Sequence, residues 1–166
     1  MTYTEIKSLL EYNKWATERI LEVASALQPE KYAQHLGSSH GGIHGTFVHA
    51  IAANRLWLDR LAGRPQAVML SEKDLPTLAA VRDEWSKWKV DMDQYLQTLS
   101  DNKLTESFSH QDSKGNTYSY PLSQVLQHLV NHAAFHRGQV VSMLRQQGAK
   151  PVNTDLIYYY RTLQRS

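Results

Sequence analysis

An all-α fold, a bundle of four helices with a small hairpin-like insertion between the third and fourth, is what this 166-residue sequence predicts. Three observations carry the prediction. Four segments of about twenty residues or more repeat apolar side chains at helical spacing. Proline and glycine signals separate these segments, and strand-like alternation is confined to one short stretch.

The first helix is expected over residues 4–27, where Ile6, Leu9, Leu10, Asn13, Ala16, Ile20, Leu21, Ala24 and Leu27 fall on one stripe. Pro29 cannot continue it. The second runs over residues 43–62, with Ile43, Phe47, Ala50, Ile51, Asn54, Trp57, Leu58 and Leu61 on its apolar side. Gly63 supplies the left-handed residue that ends it. The third, residues 77–99, follows Pro76 and turns Leu78, Val81, Trp85, Trp88, Met92, Tyr95, Leu96 and Leu99 inward. The fourth begins near Pro121, a favourable first-turn residue, and ends before Gly148. Residues 107–120 alternate aromatic and polar side chains about a turn at 112–116 containing Gly115, the pattern of a small β-hairpin. After Pro151, the run from Leu156 to Tyr160 reads as a short helix packed on the body. Trp15, Trp57, Trp85 and Trp88 are expected in the core or in a pocket wall.

A chain of this length forms one domain, residues 1–166, with room for a core that needs no staple. It has no cysteine, so disulfides and thiolate metal sites are both excluded. Lys and Arg exceed Asp and Glu by only 18 to 16 and are scattered, which gives no nucleic-acid footprint. Residues 1–11 lack the basic segment and apolar run of a signal peptide, and no apolar run is long enough to span a bilayer. The expectation is a soluble, cytoplasmic protein with neither nucleic acid nor membrane as partner.

Chemistry concentrates in the fourth helix. His128, His132 and His136 recur every four residues, so neighbours in the series leave the same helix face and can close on one metal ion. At about 1.5 Å rise per residue, His128 and His136 stand roughly 12 Å apart. Ligand nitrogens lie about 2 Å from the ion, so two of the three share it and a third ligand comes from elsewhere. Among eight histidines one such pair arises readily by chance, but an unbroken triple does not. The competing reading is a polar interior in which the histidines hydrogen-bond to one another. His49, beside Phe47, Ala50 and Ile51, is the candidate third ligand. His44 is a weaker one, pointing about 140° away around the same helix. His35 and His40, in the Gly/Ser-rich loop before that helix, and His110, in the hairpin, are expected in solvent. Arg137 faces away from His136 and has Asp155 as a candidate partner. Gly138 is expected to let a neighbouring helix come close.

Four stretches, taken in order, resemble the DinB-like (DinB/YfiT) metalloproteins over nearly the whole chain. They are Tyr12-Asn13-Lys14-Trp15-Ala16; Ile43-His44-Gly45-Thr46-Phe47-Val48-His49-Ala50 with Arg55-Leu56-Trp57-Leu58; His128-Leu129-Val130-Asn131-His132 with Phe135-His136-Arg137-Gly138-Gln139; and Thr154-Asp155-Leu156-Ile157. The resemblance implies a four-helix bundle with one divalent metal ion per chain on three histidines. Carried over position by position, these are His49, His132 and His136. His128 then lies outside the ligand set and lines the pocket or acts as a base. The resemblance also implies a homodimer.

Three neutral imidazoles leave a divalent ion its full charge and an open position, as in catalytic zinc sites. Zinc, nickel or a similar ion suits them. Such an ion activates a bound water or thiol near neutrality. The resemblance implies thiol transfer. The expected function is therefore a metal-dependent thiol (S-)transferase acting on a small-molecule substrate with a low-molecular-weight thiol, His128 being the candidate catalytic base. A metal-dependent hydrolase, and a non-catalytic stress-associated metal-binding or dimerisation module, are the alternatives.

Overall fold

Each long helix carries an apolar stripe that has to leave water, and the four stripes are buried against one another. The computed structural model describes residues 1–64, 68–112, 114–150 and 152–164; Pro151, the expected start of the tail, lies outside them. Helix α1 (Tyr3–Ser25) packs on α6 (Leu122–Gln146) and α4 (Leu78–Leu96). Helix α3 (Ile43–Leu61) packs on the same two, so the long helices touch in the order α1–α6–α3–α4. The short elements are α2 (Pro29–Ala33), β1 (His35–Ser38), β2 (Gly41–Gly42), α5 (Asp101–Thr105), β3 (Ser107–Gln111), β4 (Thr117–Pro121) and α7 (Leu156–Leu163). Among the described residues the fold is thus mostly helical, with two small antiparallel hairpins. No helix among them is long and apolar enough to cross a membrane.

Local chemistry sets the element ends. Thr2 and Glu5 cap α1 reciprocally, and Thr77 accepts a hydrogen bond from the Ala80 amide at the start of α4. The expected hairpin forms, with β3 and β4 in register from Ser107 opposite Pro121 to Gln111 opposite Thr117. Gly115 takes the positive φ of 84° that its turn needs. Helices α2 and α5 and the β1–β2 hairpin are elements that the periodicity does not announce.

Trp85 and Trp88 stack with ring centroids 4.6 Å apart and share the buried core with Leu10, Leu58, Met92 and Leu126. The Trp88 indole N–H donates to the Asn54 carbonyl at 3.0 Å, tying α4 to α3. Arg55 reinforces that joint with bonds of 2.5 Å to Glu84 and 2.5 Å to Asp91. Lys14 does the same for α1 by pairing with Asp93. Pairing offsets much of the cost of burying these cations.

Two expectations on α6 are corrected. Arg137 does not pair with Asp155, which is exposed. Its Nη1 donates to Asn13 Oδ1 and, at 3.3 Å, to Thr17 Oγ1, while its guanidinium lies 5.1 Å from the Tyr12 ring centroid. Asn13 and Thr17 are on α1, so this buried cation joins α1 to α6 through neutral partners. Gly138 is exposed, and a Cβ built there meets nothing within 4 Å, so no neighbouring backbone requires a glycine. A glycine inside a helix without that reason carries only its entropic cost. Replacing Gly138 by Ala is expected to stabilise the protein by about 0.5–1 kcal/mol in urea unfolding. A loss of stability would show that the position is sterically occupied.

Candidate metal centre

The side chains of His132 and His136 leave α6 on the same face because four residues make slightly more than one helical turn. Their Nε2 atoms stand 3.2 Å apart. Helix α3 brings His49 opposite them, its ring centroid 4.6 Å from that of His136 and 5.3 Å from that of His132. His40, on the turn between β1 and β2, stacks on His49 at 3.9 Å with the planes 14° apart. Donor nitrogens of His40, His49 and His136 all lie within 4.8 Å of one another. Four imidazoles therefore gather where α3, α6 and the first hairpin meet.

The placed Gln139 amide assigns one tautomer. His136 Nδ1 lies 2.8 Å from Gln139 Oε1, one turn along α6. An amide oxygen only accepts, so Nδ1 of the neutral ring carries the proton and Nε2 presents its lone pair to the cluster. A partner on the far nitrogen is what orients a metal-binding histidine. Two nitrogens about 2.0–2.1 Å from a tetrahedral ion lie roughly 3.3 Å apart, close to the His132–His136 spacing. The donor set thus fits a borderline-soft divalent ion such as zinc or nickel.

Charge points the same way. Burial pushes His49 down to about 4, with His40 and His136 adding to the effect. Burial likewise pushes His132 down to about 4, helped by His136, His49, His128 and His40. His136 is lowered by burial as well, partly offset by its bond to Gln139. At pH 7 these rings are neutral bases with lone pairs to give. The carboxylate of Glu72 lies 3.8 Å from His44 Nε2, but burial lowers His44 as well, so that contact is not an ion pair at pH 7.

The chain matches the DinB family model over residues 1–165. It belongs to the DinB family. Protein DinB of Bacillus subtilis (strain 168) is 26% identical over 160 residues, which is 93% of each chain. A DinB-like protein from Bacillus cereus ATCC 10987, known from its crystal structure, superposes with a TM-score of 0.68 at 22% identity. The match covers 87% of this chain and 94% of that one, and at this identity it carries the fold alone.

In this DinB-family protein the rings of His49, His132 and His136 lie side by side, but the three histidines whose donor nitrogens all fall within 4.8 Å of one another are His40, His49 and His136, and His128 lies at the edge of the cluster. His128 is exposed, its ring 5.6 Å from His132 and edge-on to Trp57 at 5.5 Å. It lines a cavity of about 380 Å³ with Trp57, His110, Tyr120, Gln124 and Val125. His35 is exposed as expected. His44 turns away to the Tyr32 hydroxyl, 3.0 Å distant. Two expectations of solvent exposure fail. His110 is half-buried against Trp57, with ring centroids 4.7 Å apart, and His40 joins the cluster. The signal for His40 is the glycine pair Gly41-Gly42 running into a helix with Gly45 on its first turn, a mark of close backbone approach. Gln139 gives no signal beyond its spacing of three from His136.

In the metal-free folded protein His49 and His132 stay neutral down to about pH 4, whereas an unfolded chain protonates them near their ordinary 6.5. The unfolded chain therefore binds more protons between those values, and stability falls as pH is lowered through that window. Urea midpoints at pH 7 and pH 5 should drop further for wild type than for the His49→Gln/His132→Gln double variant. Equal drops would mean the two rings titrate normally in the folded state.

Proposed function

We propose that this protein is a metal-dependent transferase of the cytoplasm, holding one divalent ion on His49, His132 and His136 and passing a small thiol to an electrophilic small molecule. The observation that carries the reading is the His132–His136 nitrogen pair at 3.2 Å, with the His136 lone pair aimed by Gln139 and His49 facing both. A divalent ion held there supplies positive charge that acidifies a thiol or water brought to it.

The chain's own groups do the rest. Gln139 holds the His136 ring in its binding tautomer. Trp57, Tyr120 and Val125 give the neighbouring cavity apolar walls for the body of the electrophile. His128, on the cavity wall toward His132, takes the thiol proton on a ring nitrogen. Sulfur then forms a bond to the electrophilic carbon as the bond to the leaving group breaks, and the electron pair departs with that group. In the same reading the protein is a homodimer, for which exposed Phe135, Ile157, Tyr158 and Leu163 offer apolar surface.

A second reading, a non-catalytic metal-binding or dimerisation module, is favoured by the presence of a fourth imidazole, because structural sites are closed by four protein ligands. Metal stoichiometry after reconstitution, for wild type and His136→Ala, tests the shared premise. One ion per chain, lost in the variant with modest change in stability, is expected; no binding by folded wild type with several divalent metals overturns it. A screen of small thiols with electrophiles then separates transferase from module, and hydrolysis without thiol would mark a hydrolase. For an active pair, His128→Gln is expected to lower turnover by about 10²-fold or more and flatten its pH profile. Unchanged turnover across pH would leave His128 as cavity wall only.

A further inference from the structure

We infer that His40 supplies a fourth imidazole to the same centre, and that a small thiol must displace it to reach the ion. The inference rests on the three-histidine reading of the centre.

His40 is placed by backbone packing. The strands that flank it pair His35 with Gly42 and Ser38 with Gly41, and the Gly42 amide donates to the His40 carbonyl at 2.9 Å. This hairpin lies tight against the first turn of α3. A Cβ on Gly45 would sit 2.0 Å from the His40 carbonyl oxygen, and one on Gly42 would sit 2.2 Å from that of Gln34. Only glycine fits at either position, so the turn is held hard against the helix that carries His49. The His40 ring then stacks on His49 and meets His136 edge-on at 5.3 Å, with its donor nitrogen within 4.8 Å of theirs. The backbone fit fixes where the turn lies, and the ring contacts with His49 and His136 show that the side chain it carries turns into the cluster.

The four imidazoles are not equivalent. His49, His132 and His136 are carried by helices whose backbone bonds resist movement. His40 sits at a hairpin turn, and rotation about its side-chain bonds takes its ring out of the cluster without breaking a helix. Water at neutral pH competes poorly with a held imidazole, whereas thiolate is a strong ligand for such ions. His40 thus keeps the centre closed to water and open to thiols.

The test uses Co2+ as the probe metal with wild type, His40→Ala, His40→Gln and His132→Gln, each checked for fold by circular dichroism. Co2+ affinity, its visible absorption band and a titration with 2-mercaptoethanol are the readouts. Both His40 variants should bind Co2+ about tenfold or more weakly, the scale lost when a group that merely supports a ligand is removed. Their bands should shift toward that of a site with one nitrogen fewer, and the thiol should saturate them at lower concentration than wild type. Wild-type affinity, band and thiol titration in both His40 variants, with binding lost in His132→Gln, would overturn the role of His40 and leave the three-histidine reading standing. Absence of Co2+ binding by folded wild type would overturn both.

Discussion

The contact between α3 and α6, with that between α1 and α6 one of the two most extensive helix pairings among the described residues, is the constraint on which the rest depends. Each helix alone presents a mixed face of apolar side chains and imidazoles, and only their apposition makes that face an interior. Phe47, Ile51 and Leu58 on one side and Leu126, Leu129 and Ala133 on the other are removed from water by the packing. His49, His132 and His136 are carried inward with them. Desolvation then strips these rings of protons, so the packing that stabilises the protein also prepares its bases. Arg55 on α3 and Arg137 on α6 anchor that pair to α4 and α1 respectively, fixing where the two helices meet.

Most of this frame is legible in the sequence, because an apolar stripe held at helical spacing over twenty residues fits an amphipathic helix and little else. The pair on α6 is legible for the same reason: four residues along a helix is a distance as well as a count. His49 needs the family resemblance, since spacing within α3 does not tell a ligand from a buried ring. His40 reads as a loop residue in solvent because a two-residue strand leaves no periodicity to detect. Its placement depends on what two glycines permit, a property of three-dimensional fit. Gly138 misleads in the opposite sense. A glycine beside a functional motif suggests close packing, yet the helix face it occupies looks onto solvent. Asp155 suits Arg137 by charge, but Asn13 and Thr17 reach the guanidinium from α1.

The aromatic cavity gives the centre direction. One flank of the histidine cluster is covered by the β1–β2 hairpin, and the other leads past His128 to Trp57 and the β3–β4 hairpin. Two hairpins inserted between helices thus frame a centre built on helices, as expected where rigid elements hold the reactive groups and the connections select what approaches. The β3–β4 insertion brings His110 and Tyr120 to the cavity, so its sequence sets the shape of that wall.

Arg137 has a consequence of a different kind. Its guanidinium is buried one residue beyond His136, and no carboxylate pairs with it among the described residues. The interior between α1 and α6 therefore holds a permanent positive charge without a counter-ion, on the side of α6 turned toward Asn13 and Thr17. In this protein a buried charge is held by amide and hydroxyl dipoles and a ring face rather than by a counter-ion, so the joint between α1 and α6 depends on Asn13 and Thr17 keeping their orientation.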